Sequence, residues 1–168
     1  EYYKENQFFW LQFAMALISI GDENKKKDYY LRARFYLDTA LSLAESKNFV
    51  PFQIHNQQAR LLLKLILNGF SDNVREDFVK AHNLLKLPIT SSKDNPIMVV
   101  NMYKYYILQD MKEKLEAAGL YSLYLSCGRE AYNNLTRLKQ RMRGDDLVQT
   151  ERLMDRFFQR FGTNSSAS

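Results

Sequence analysis

Arg75 and His82 are the two residues whose types and spacing best suit catalysis in this chain. Seven residues is close to two helical turns, so on a helix both fall on one face. There a guanidinium can stabilise a phosphorane and an imidazole can carry protons. Together they suit acid–base cleavage of a phosphodiester without a metal. The competing account of the same two residues is an exposed short helix with no reactive role. Other reactive types are sparse. His55 and His82 are the two histidines and Cys127 is the one cysteine, and no pair has the spacing of metal ligands. No metal and no cofactor is expected. Cys127 lies on an apolar stripe with Leu123 and Ala131, which makes it a buried, inert thiol rather than a nucleophile. The six glycines are isolated and mostly at helix ends, so no loop can cradle a phosphate.

A second kind of chemistry is electrostatic. The chain carries a formal charge of +5, and much of the excess lies in Arg137, Lys139, Arg141 and Arg143. Read as one helix, Arg137 and Arg141 are four apart, as are Lys139 and Arg143, giving two positive ridges beside Leu138 and Met142. Such ridges can clamp the phosphates of RNA or DNA in a salt-sensitive, sequence-blind way. Cations in the last turns of a helix also favour its C-terminal dipole, and this plainer role ranks ahead of the clamp. The chain has 11 tyrosines and 11 phenylalanines, and at helical spacing aromatic residues mostly pack in cores. Tyr2, Tyr3, Phe8 and Phe9 are different. At the open end of a stack of helices they are the residues expected to cover a neighbouring domain or subunit.

The elements that would position these groups are helices throughout. With 168 residues, 46% of them hydrophobic, and only 3 prolines and 6 glycines, the composition favours long ordered helices. A chain of this length buries roughly 70% of its unfolded surface and needs neither metal nor disulfide to fold. The spacing predicts a first helix over 2–20, ended by Gly21 and Asp22, with GDENKKKD as an exposed loop. A second runs to about Ser46, and a third over Phe52 to Leu67 follows a connector at Lys47 to Pro51. A short fourth is capped by Asp72, with Val74, Phe78, Ala81 and Leu85 inward. Trp10, Phe13, Ala14, Leu17 and Ile18 are expected on the inner face of the first helix. Tyr30, Ala33, Phe35, Leu37, Ala40 and Leu41 are expected inside on the second. Ala33 and Ala40, seven apart, would let the two helices approach closely.

Beyond a loop over 88–95, a helix from Pro96 to Gly119 is expected. It is followed by one through Leu120, Tyr124, Cys127, Ala131, Leu135, Leu138 and Met142 that stops at Gly144. A last amphipathic helix carries Leu147, Met154, Phe157, Phe158 and Phe161, and residues 162–168 form a frayed tail. The expected fold is all-α, six or seven helices in an antiparallel helix-pair array. It forms a single domain over 1–161 with halves 1–87 and 96–161.

The chain also repeats itself weakly. Trp10, Ala14 and Leu17 align with His55, Ala59 and Leu62, with Gln12 and Gln57 in common, at a period of about 45 residues. A third copy runs through Leu108, Met111, Leu115, Gly119, Tyr121 and Ala131. These copies resemble the tetratricopeptide repeat, although GDENKKKD is an insertion, Tyr124 replaces a small residue and the closing proline is missing. The resemblance implies a right-handed solenoid. Trp10-Leu11-Gln12 followed by Ala59-Arg60-Leu61-Leu62 is further similar to helical-repeat regions attached to bacterial defence ATPases and sirtuin-like effectors. That likeness implies an antiviral-defence setting in which this part senses a partner or holds an oligomer together. The Arg75 to His82 spacing, for its part, resembles that of HEPN ribonucleases, with Glu76 where that family prefers another polar residue.

The functional expectation is a non-catalytic scaffold that binds a protein partner or itself. A HEPN-like ribonuclease using Arg75 and His82 comes second and a nucleic-acid clamp through Arg137 to Arg143 third. The lone cysteine points to a reducing, cytoplasmic compartment. The apolar run Phe8 to Ile20 is too short to span a bilayer, so no membrane partner is expected. A start at Glu1 rather than Met is read as a piece of a longer polypeptide.

Overall fold

In the computed structural model, residues 5–90 and 111–161 are described, those at 86–90, 157, 160 and 161 by their backbone alone. The described residues form seven helices and no strand: α1 Gln7–Asn24, α2 Lys27–Ser46, α3 Phe52–Leu67, α4 Val74–Thr90, α5 Met111–Ala117, α6 Tyr121–Lys139 and α7 Asp145–Phe161. The chain divides into two compact units, Glu1–Leu87 and Pro88–Ser168.

In the first unit, α1 and α2 pack as a hairpin linked by Lys25 and Lys26. The buried positions of α1 include Gln7, Leu11, Ala14, Ile18 and Gly21, and those of α2 are Tyr30, Ala33, Leu37, Ala40 and Ala44. Steps of three and four alternate along both helices, the spacing of helices that lie nearly in line. Small residues at Ala14, Gly21, Ala33, Ala40 and Ala44 let the two backbones come together. Gly21 does not break α1 as the sequence reading has it. It lies inside the helix, and the close approach of Tyr30 depends on its lacking a side chain, since a Cβ there would sit 3.0 Å from Tyr30 Cε1 and 3.1 Å from Cζ. The link is therefore only two residues long, and most of GDENKKKD is helical. Lys25 makes the turn at φ 50°, its N–H donating to the Gly21 carbonyl at 2.7 Å.

α3 runs alongside this hairpin, with Ile54, Ala59, Leu61, Leu62, Leu63, Leu65 and Ile66 buried around much of its circumference. Its end and that of α2 are closed the same way. Phe70 N–H reaches the Leu65 carbonyl at 2.8 Å past Gly69, and Phe49 N–H reaches Ala44 at 3.2 Å past Asn48, both turning residues having positive φ. α4 is capped by Asn73, whose Oδ1 accepts from Glu76 N–H at 3.1 Å. Asp72, expected in that role, instead pairs with Lys27 at 3.6 Å. Phe78, Ala81 and Leu85 are buried as expected. The helix continues through Pro88 to Thr90, so those three residues are not loop. A proline in the last turn removes one backbone bond, to the Leu84 carbonyl, and leaves the rest of the ladder intact. The expected loop residues 91–95, most of the helix from Pro96, Tyr2, Tyr3 and the tail 162–168 lie outside the described residues.

In the second unit, α5 packs on α6 and α6 on α7. Gly119 at φ 73° turns the chain, and Leu120 N–H closes α5 on the Leu115 carbonyl at 2.7 Å. Tyr124, Cys127, Ala131, Leu135, Leu138 and Met142 are buried. α6 stops at Lys139, five residues before Gly144. There Arg141 and Met142 N–H groups bond three residues back, at 3.0 and 3.1 Å, tightening the chain out of the α-helix. Phe158, expected inward on α7, is exposed.

Candidate protein-interaction surface

The aromatic residues of α1 and α2 that leave the three-four alternation form a continuous exposed face. Phe9 stands edge-on to Trp10 with centroids 5.1 Å apart and stacks toward Phe13 at 6.3 Å. Trp10 stacks on Tyr36 at 5.3 Å, Phe13 meets the same ring edge-on at 4.7 Å, and Phe35 closes the row at 5.5 Å from Tyr36. Trp10 and Tyr36 are half-buried against the core and hold the cluster in place. The outer rings are open to solvent, Phe9 37% exposed, Phe13 42% and Phe35 66%, while Phe8, 44% exposed, lies about 100–140° around α1 from Phe9 and Phe13. Ile20 and Leu31 are exposed on the same two helices. Phe13 and Phe35 were expected in the core. They fall outside because the buried set includes Ala14, Ile18, Ala33 and Leu37, and each phenylalanine is offset by about 100–160° from those neighbours. A monomeric soluble protein seldom leaves so many large rings together in water, and such patches mark contact surfaces.

Beneath one end of this hairpin lies a polar node. Tyr30 is fully buried, its hydroxyl donating to Asp22 Oδ1 at 2.7 Å and accepting from Asn68 Nδ2 at 3.3 Å. The other Asp22 oxygen faces Lys64 Nζ at 3.4 Å and Arg60 Nη2 at 3.5 Å. The node thus ties α1, α2 and α3 together. Burial, and then the hydrogen bond to Asp22 and its charge, hold the Tyr30 hydroxyl well above the usual phenol range. An unfolded tyrosine ionises near pH 10. Above that pH the unfolded chain sheds a proton that the fold retains. The Tyr30 contribution to stability is therefore intact below about pH 10 and is lost as pH rises toward the raised value. Urea unfolding followed from pH 8 to about 11.5 should show this loss, and Tyr30→Phe should flatten its share of the slope.

The residues proposed for catalysis are placed differently. Arg75 is exposed and lines an open groove on α4 with Asn73, Glu76, Val79, Lys80, Asn83 and Leu84. His82 does not line that groove and is 3% exposed. A general acid must reach its substrate, and this imidazole is covered. His55 sits with Nδ1 3.2 Å from Gln58 Oε1. No group of three His, Cys, Asp or Glu side chains among the described residues could hold a metal ion. A second groove of about 220 Å³ between α2, α3 and α4 mixes Arg34 and Lys80 with Asp38, Glu76 and Asp77.

The basic segment is not two ridges. With α6 ending at Lys139, only Arg137 and Lys139 are on the helix, and Arg141 and Arg143 lie in the turn that follows. Arg137 Nη2 donates to Asn134 Oδ1, and Lys139 Nζ lies 3.5 Å from Glu151. Arg137 and Lys139 are thus engaged within the second unit. No helix of the described residues is long and apolar enough to cross a membrane. Compared with protein-family models, curated proteins and solved structures, the chain matches none.

Proposed function

We propose that this chain is a non-catalytic interaction or oligomerisation module, an array of antiparallel helix pairs that works by presenting a surface. The observation that carries this reading is the row Phe9, Trp10, Phe13, Tyr36 and Phe35, whose outer rings are exposed while the rings behind them are anchored. Rigid aromatic side chains contribute large contact area at low entropic cost, and they dominate the energetics of interfaces. The burial of His82 supports the scaffold over a HEPN-like ribonuclease. The break at Lys139 supports it over a phosphate clamp.

The test is a comparison of wild type with a Phe13→Asp, Phe35→Asp double variant, each immobilised and exposed to extract of its source cells. Proteins held by the wild type, copies of the chain included, should be lost from the variant. An identical bound set would exclude this face as the binding surface.

A further inference from the structure

We propose that the occupant of the aromatic face is a second copy of this chain, laid antiparallel across α1 and α2 about a two-fold axis. The inference rests on the interaction reading above and names its partner.

The size of the face supports it. α1 has 18 residues, so it is about 27 Å long, and two helices side by side are about 20 Å wide. That footprint, about 540 Å² before the relief of its rings is counted, is about two thirds of the roughly 800 Å² per partner that a stable complex buries. The hairpin can therefore supply most of such an interface.

The charges support it more specifically. A surface that meets itself must carry both signs, at places the symmetry brings together. Where α1 begins, Glu5 is exposed and the Lys47 ammonium is fixed by donating to the Glu5 carbonyl at 2.6 Å and to Gln7 Oε1 at 2.8 Å. Where α1 ends, Glu23, Lys25, Lys26 and Asp28 are exposed, and none of the four is in an ion pair among the described residues. Glu23 lies two heptads beyond Phe9, and Asp28 lies one heptad before Phe35, so both carboxylates continue the lines of exposed rings. In an antiparallel pairing each end meets the opposite end of the second copy. Lys47 then faces Glu23 and Asp28, and Glu5 faces Lys25 and Lys26. A parallel pairing would set Glu23 against Glu23 and Lys47 against Lys47. Midway between Phe9 and Glu23 is Ala16, exposed and small, which leaves a notch between Phe13 and Ile20 for a ring of the facing copy.

Light scattering and sedimentation of the full chain from about 1 to 200 µM cover the range in which a standard interface closes. The expected result is a closed dimer of twice the chain mass, converted to monomer by Phe13→Asp with Phe35→Asp. Both residues are exposed, so circular dichroism should show the helices retained. Glu23→Lys should weaken the dimer about tenfold, and Lys47→Glu in the same chain should restore it. A wild-type monomer throughout the range, growth beyond two copies, or a folded double variant that remains dimeric would each overturn the proposal. The first of these leaves the interaction reading intact, because the capture experiment tests the face against any protein.

Discussion

Ala33→Leu is expected to cost the fold about 3 kcal/mol, measured as a lowered urea midpoint with an unchanged slope. Ala33 is fully buried between α2 and α1, in register with Ala40 and with Ala14 and Gly21 on the other helix. An isobutyl group there has no room unless the hairpin opens, and opening it would also pull Tyr30 from the notch above Gly21. The same change at the exposed Ala16 should stay within about 0.5 kcal/mol. If both alanines tolerate leucine equally, the close approach of the two helices is not what holds this unit together.

Asp22→Ala should rank second, at about 2–3 kcal/mol. The carboxylate accepts from the buried Tyr30 hydroxyl and sits between Arg60 and Lys64, whose side chains are each 16% exposed against 28% for Asp22. Removing it leaves two cations half out of water with no anion beside them. A fully buried pair broken this way costs about 3–5 kcal/mol, and the partial exposure here reduces that figure. Arg60 Nε is already buried without a hydrogen-bond partner, so without Asp22 the guanidinium keeps only the bond its Nη1 donates to Gln57 Oε1 at 3.2 Å. By contrast, Lys27→Ala, whose partner Asp72 is almost fully exposed, should change the urea midpoint negligibly.

Much of the architecture was legible in the residues, and the reason is periodicity. α3 runs over Phe52–Leu67, the span its apolar spacing predicts, because Pro51 precedes it and Asn68 and Gly69 follow it. The buried faces of α2 and α6 were likewise readable from Ala33, Ala40, Cys127 and Ala131. Hydrophobicity and burial part company on α1 and α2. Phe13 and Phe35 look like core by type, whereas the three-four step through Ala14 and Ile18 and through Ala33 and Leu37 leaves both off the packed face. That step was the signal for the aromatic face, and it is visible without coordinates. Gly21 misled for a related reason. A glycine near a polar run reads as a helix end, and only the approach of Tyr30, nine residues on, reveals that its missing side chain is needed for packing. The basic segment failed at a boundary. Nothing in RLKQRMR marks Lys139 as the last helical residue, because the tightening at Arg141 and Met142 is backbone geometry and not composition.

The most direct test of the claim that the aromatic row is a surface for contact takes the Phe13→Asp, Phe35→Asp variant and measures its urea midpoint beside its binding. The account predicts a midpoint within about 0.5 kcal/mol of wild type, as for other exposed positions, together with loss of the captured proteins. A midpoint that falls as far as that of Ala33→Leu would place these rings in the core and contradict it.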